Sequence, residues 1–143
     1  MKRLLLVSIA VLSTLLAAAQ ADGDRILGHY AAKLSHNDAK AKIIKHNGGY
    51  RMQIYWLRDT HNADGSLKVD SKNPDKSKRH TPLTEVVLVE HVTYEDGVWK
   101  NGRIYDPHSG KSYKTELRLN GKDLDLRGIV GPFHKSIHWT KIQ

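Results

Sequence analysis

Apolar and polar residues alternate along most of this chain with a period of two. In KTELRLNGKDLDLRG, Thr115, Leu117 and Leu119 fall on one face while Lys114, Glu116 and Arg118 fall on the other. Such alternation marks a strand with one buried face. Asn120-Gly121 follows as a two-residue hairpin signal, because both residue types tolerate positive φ. Leu124 and Leu126 then resume the apolar face against Asp123, Asp125 and Arg127. The same grammar recurs elsewhere. AKAKIIK and YRMQIYWL flank Asn47-Gly48-Gly49, with Tyr50, Met52, Ile54 and Trp56 on a shared face. TEVVLVEHVTY and VWKNGRIY flank Glu95-Asp96-Gly97, and KSIHWTKI places Ile137 and Trp139 together. With RILGHYAA the pattern predicts about eight strands and no helix of helical period.

Short strands joined by tight turns predict an all-β domain, either a sandwich or an antiparallel up-and-down barrel. Eight strands suffice to close a barrel whose interior is filled by side chains or holds one small ligand. One connection breaks the rhythm. Residues 58–82 form a polar stretch of 25 residues with six basic and four acidic side chains. Loops beyond about 15 residues usually have a task or are disordered, so this one reads as a lid or a surface excursion. Asn73-Pro74-Asp75 inside it reads as a fixed turn.

The first 21 residues follow a different rule. Lys2 and Arg3 precede an apolar run that closes with Ala19-Gln20-Ala21, the small-x-small pattern of a signal peptide. The sequence thus predicts a leader over 1–21, cleavage after Ala21, and a single domain over 22–143. The protein would be periplasmic or secreted, with no transmembrane anchor after cleavage, because the apolar run is short for a bilayer span. Lys2 and Arg3 leave with the leader, so 21 basic residues face 15 acidic ones and the remaining net charge is +6. Positive charge of this size attracts polyanions in general. Its spread along the chain, together with export, argues against nucleic acid as the partner. The absence of cysteine excludes thiol catalysis, zinc-thiolate sites and disulfides, so burial alone must hold the domain together.

Candidate chemistry is sparse. Nine histidines invite a metal reading, but His134 and His138 sit four apart on a strand, about 13 Å, too far to share an ion. Asp106-Pro107 and Ser109-Gly110 are accounted for by turn chemistry. No Gly-x-Ser-x-Gly elbow accompanies them, and no phosphate-cradling loop occurs. The sequence predicts no metal, no cofactor and no catalysis, the residual catalytic reading being a hydrolase-like site at a barrel mouth using Asp106 or His108. Arg127, next to Gly128, has two readings: it stacks on Tyr30 or Trp139, or it alternates outward with Asp123 and Asp125.

Several blocks in register carry a family resemblance. ILGHY, YRMQIYWL, NPDKSKRHTPL, GVWKNGRIYDPHSGKSYKTELRL, LDLRGIVG and IHWTK resemble the domain of unknown function 2147 family, small exported bacterial proteins with a calycin, lipocalin-like barrel. The most specific block is Tyr105, Asp106, Pro107, Gly110, Lys111 and Tyr113. Gly28, Asn73, Pro74, Asp75, Arg79, Arg127 and Gly128 fall in the other blocks. Tyr30 replaces the family's usual Trp, which would weaken a barrel-end stack with Arg127. Gln53 and Glu85 stand where Gly is common, so their side chains would narrow the interior or a mouth. Lys141 stands where Arg is frequent. The resemblance implies the lipocalin-like barrel of about eight strands and carries no activity.

The functional expectation is an exported, non-catalytic barrel binding a small apolar or amphipathic molecule. Met52, Ile54, Trp56, Leu88, Ile104, Tyr113, Leu117, Leu126 and Trp139 are the candidate interior. The alternative is a basic surface module that docks an envelope polyanion or a partner protein.

Overall fold

Each alternating run forms one strand of a closed antiparallel barrel in the computed structural model, which describes residues 12–15, 17–18 and 21–143. The strands are β1 (Gly28–Lys33), β2 (Asp38–His46), β3 (Gly49–Leu57), β4 (Val87–Glu95), β5 (Val98–Asp106), β6 (Lys111–Asn120), β7 (Asp123–Val130) and β8 (Phe133–Lys141). Every strand pairs with its sequence neighbours, and β8 returns to β1 through Tyr30 opposite Lys141. Closure leaves no free sheet edge. The expected leader and its cleavage point lie mostly outside the described residues. Among those described, no helix is long and apolar enough to cross a membrane.

Because successive strands reverse direction, the β1–β2, β3–β4, β5–β6 and β7–β8 connections gather at one end, here called the mouth. The other three turns gather at the floor. Asn47-Gly48 and Asp96-Gly97 take positive φ at both positions, the conformation that a tight hairpin favours. The β6–β7 turn differs from expectation by one residue. Asn120 pairs with Asp123, so the loop is Gly121-Lys122. Only Gly121 needs positive φ there, at 62°, which puts glycine first in the turn.

Strand β3 corrects a second expectation. Ala41 pairs with Ile54 and Lys40 with Trp56, so Tyr55 is an extra, unpaired residue. Such a bulge inverts the alternation beyond it. Leu57 therefore turns inward and is buried, while Trp56 leaves the interior and is 39% exposed beside Lys40.

Trp99, Trp139, Tyr30, Met52, Leu117 and Leu126 are each at most 1% exposed and form the heart of the core. Burying each side chain of this size contributes about 1.5–3 kcal/mol. The floor is plugged by the segment preceding β1. Gly23 O accepts from Trp99 Nε1 at 3.0 Å, Asp24 Oδ1 from Tyr50 Oη at 2.7 Å, and Ile26 O from Tyr30 Oη at 2.8 Å. Burial, aided by the charge of Asp123, pushes the Tyr30 phenol up to about 12. The cation over the Tyr30 ring is Lys141, at 5.8 Å, whose Nζ also donates to Leu27 O at 3.1 Å. The stack anticipated between Arg127 and Tyr30 or Trp139 therefore does not form. Arg127 follows buried Leu126 on β7 and pairs with Glu116 and Ser136, so alternation turns it outward.

Candidate functional site

Toward the mouth the inward face of β5–β8 is only partly covered. Ile104 on β5 pairs with Tyr113 on β6, and Thr115 pairs with Gly128 on β7. Thr115 is buried, which identifies this as the inward-facing row. Yet Ile104, Tyr113 and, on β8, Ile137 are only half-buried. Gly128 contributes no side chain here. A Cβ built on it would meet nothing nearer than Ile104 Cγ2 and Tyr113 Cβ, both 3.9 Å away. Lys135, the ladder partner of Gly128, is exposed beside the gap. Leu117, Leu126 and Ile137 form the next row down, and Leu119, Leu124 and Trp139 the one beneath it.

Trp139 carries an unusual donor. Its side chain is 1% exposed, and among the described residues its indole N–H finds no acceptor. A buried donor left unpaired costs about 1–3 kcal/mol, so an acceptor oxygen entering the interior would recover that loss. Arg127 Nε is likewise buried and unpaired among the described residues, on a side chain that alternation directs away from the interior.

Of the nine residues expected to line the interior, Met52, Ile54, Leu88, Leu117, Leu126 and Trp139 are buried, and Ile104 and Tyr113 are half-buried. Trp56 is outside, for the reason given by the bulge. Gln53 and Glu85 do not narrow the interior either. Glu85 is exposed, and Gln53, flanked on β3 by buried Met52 and Ile54, donates its side-chain amide to Glu85 O at 2.9 Å across the outer surface.

The motif residues gather at the mouth, where two of the sequence blocks meet. Asp70 is 2% exposed and accepts from Tyr105 Oη at 2.6 Å and from Asn73 Nδ2 at 2.8 Å. Burial, with the Asp70 carboxylate next in weight, holds the Tyr105 phenol well above its ordinary range. Arg79 Nε donates to Asn73 O at 2.7 Å, while Asp75 caps the short 3-10 turn Lys76–Lys78 after Pro74 by accepting from Ser77. On the other side of the contact, Asp106 accepts from His108 N at 2.9 Å and Ser109 Oγ at 2.8 Å, which fixes the turn after Pro107. Gly110 is required twice over: its φ is 72°, and a Cβ would lie 2.2 Å from Lys72 O. Lys72 Nζ closes the contact by donating to His108 O at 2.9 Å. Lys111 is exposed and only its backbone N–H takes part, donating to Ser109 Oγ. The long connection is thus folded against the β5–β6 turn, with backbone bridges His61–Leu67 and Val69–Pro82.

Both oxygens of Asp106 serve its own turn, and its neighbour His108 stacks on His36 with ring centroids 4.0 Å apart. Among the described residues no cluster of three or more histidines and carboxylates is placed to hold a metal ion. His138 is ion-paired instead to Asp125 at 3.1 Å and Asp123 at 3.4 Å on the outer face. Two hollows, of about 1030 and 190 Å³, lie at the floor outside the barrel, the larger bounded in part by Ala18 and Ala21.

A family model described as "uncharacterized protein conserved in bacteria (DUF2147)" matches residues 28–141. Among solved structures the chain is similar to protein HP1028 from the human pathogen Helicobacter pylori, described as belonging to the lipocalin family. That likeness has 22% identity and a TM-score of 0.68, and covers 82% of this chain and 83% of the other. At such identity it shows the fold, a lipocalin-like barrel. No curated protein matches the chain.

Proposed function

The chain belongs to the bacterial family DUF2147, and from that premise we propose that it is an exported, non-catalytic barrel that holds one small apolar or amphipathic molecule in its interior. The observation that carries this reading is the incomplete burial of the inward-facing Ile104, Tyr113 and Ile137, together with the unpaired indole N–H of Trp139. An interior meant only to pack against itself would bury those side chains and pair that donor. Binding of an apolar molecule by a lipocalin-like barrel is consistent with a wall of this kind. Export is supported by the leader pattern over 1–21. A non-catalytic role is supported by Asp106, whose two oxygens are occupied within its turn.

The energetics set the expected affinity. Each buried methylene contributes about 0.8 kcal/mol. A chain of some ten carbons therefore gains roughly 8 kcal/mol before ordering costs, which allows micromolar binding at best. The test is titration of a fluorescent fatty-acid probe into the protein beginning at Asp22. Saturable binding is expected, with quenching of Trp139. In Gly128→Leu, whose side chain enters the open row, affinity should drop at least about tenfold while the fold is kept. No saturable signal with the folded wild-type protein, or unchanged affinity in Gly128→Leu, overturns the reading.

A further inference from the structure

The β7–β8 hairpin ends in an apolar point. Val130 and Phe133 face each other across Gly131-Pro132 and are 58% and 76% exposed, Phe133 being the most exposed large hydrophobic side chain among the described residues. Ladder neighbours supply the setting. Lys114 pairs with Ile129, Lys111 stands further along β6 toward the tip, and Lys135 follows Phe133 by two residues. Among the described residues none of these three lysines takes part in an ion pair, and Arg103 pairs with Lys114 on the adjoining strand. The strand ends forming this quarter of the mouth, residues 107–115 and 128–137, contain no Asp or Glu. Asp106, the ladder partner of Lys111, is engaged within its own turn, Asp70 with Tyr105, and Asp38 and Asp59 with Arg58.

We propose that this hairpin tip docks the protein on an anionic lipid bilayer, with Val130 and Phe133 entering the headgroup boundary and Lys111, Lys114 and Lys135 meeting lipid phosphates. A convex apolar tip ringed by unpaired cations is the combination that binds an anionic interface, where the apolar side chains insert and the cations are attracted to the surface. Charge also decides against the nearest alternative occupant. Two copies meeting through this patch would bring six unpaired lysines together, and like charges facing one another oppose association. The proposal stands independently of what the interior holds, since no residue of the core takes part.

Co-sedimentation with vesicles tests it, comparing phosphatidylglycerol mixed into phosphatidylcholine with phosphatidylcholine alone. The wild-type protein should pellet with the anionic vesicles only, and less so as salt rises. Each lysine near an anionic surface is worth about fivefold in partitioning, so K111Q/K114Q/K135Q should lose roughly a hundredfold. Phe133→Ser should lose about tenfold or more at the same net charge. The site is exposed, so this variant should fold, which circular dichroism checks. Three results overturn the proposal. The first is failure of the wild-type protein to pellet at low salt. The second is equal pelleting of Phe133→Ser, which would mean unspecific ionic adhesion. The third is a dimer on gel filtration that Phe133→Ser abolishes, which would assign the patch to a second copy.

Discussion

Tyr105 donates a 2.6 Å hydrogen bond to Asp70 across 35 residues of sequence, and this bond joins β5 to the middle of the long β3–β4 connection. The carboxylate is 2% exposed and has one other side-chain donor, Asn73. Removing the phenol hydroxyl leaves a buried acceptor short of a partner, which costs about 1–3 kcal/mol. Tyr105→Phe should lower stability by that amount in urea denaturation and speed proteolysis within residues 58–86. The pH dependence has a definite sign. A phenol whose folded-state pKa is raised is neutral in the native protein, so its contribution is complete below its ordinary pKa near 10 and is lost as pH rises through the higher folded value. Alkaline unfolding should therefore be shallower in Tyr105→Phe than in wild type.

The floor plug predicts where the chain can be shortened. A protein beginning at Asp22 keeps Gly23 O for Trp99 and Asp24 for Tyr50 and Lys45. One beginning at Leu27 leaves Trp99, Tyr50 and Tyr30 without acceptors and uncovers the core where Ile26 was buried. The first should match the full chain in thermal stability. The second should lose several kcal/mol, at about 1–3 kcal/mol per unpaired buried donor. The hydrogen bond from Lys45, with that of Tyr50, lowers the Asp24 pKa. Its stabilisation is present above the ordinary carboxylate range and is lost as pH falls through the lowered value. Asp24→Asn should accordingly flatten the acid side of the stability profile.

Lys141 and Arg127 separate two roles that the sequence left joined. Lys141 covers the Tyr30 ring and bonds to Leu27 O. Lys141→Met should cost about 1 kcal/mol. Arg127→Gln, at a half-buried guanidinium whose Nε has no partner among the described residues, should cost less than Lys141→Met. Equilibrium denaturation of both variants decides the assignment, and a larger effect at Arg127 reverses it.

The barrel itself was legible because strict alternation can be satisfied only by a sheet with one covered face, and the turns announced themselves through Asn-Gly and Asp-Gly. The pairing of Asp70 with Tyr105 was not. Tyr105 falls in the most specific block, but Asp70 lies outside every block, and nothing in its spacing says that a polar loop will bury its own carboxylate against a strand. The half-open row at Gly128 was hidden too, since half-burial is a property of what stands opposite, and a strand read alone carries no such information. Lys141 could have been found as the only cation two residues beyond Trp139 on the closing strand, the position that faces Tyr30 once β8 meets β1.

The bulge at Tyr55 gives the sharpest contrast between pattern and fold. Period two carried from Tyr50 through Met52 and Ile54 puts Trp56 inside and Leu57 outside. The ladder shows the reverse, because Lys40 pairs with Trp56 while the adjacent Ala41 pairs with Ile54. The consequence is an inverted mutational response. Leu57→Ala removes a buried side chain and should cost about 2–5 kcal/mol. Trp56→Ser removes a larger residue, but one that is 39% exposed on the outer face with Lys40 at 4.8 Å from its ring, so its cost should stay below that of Leu57→Ala. Urea denaturation of the two single variants measures both. A Trp56 variant less stable than the Leu57 variant would mean that the strand runs through without the bulge. In that case Trp56 would rejoin the interior and the register of β2 against β3 would shift with it.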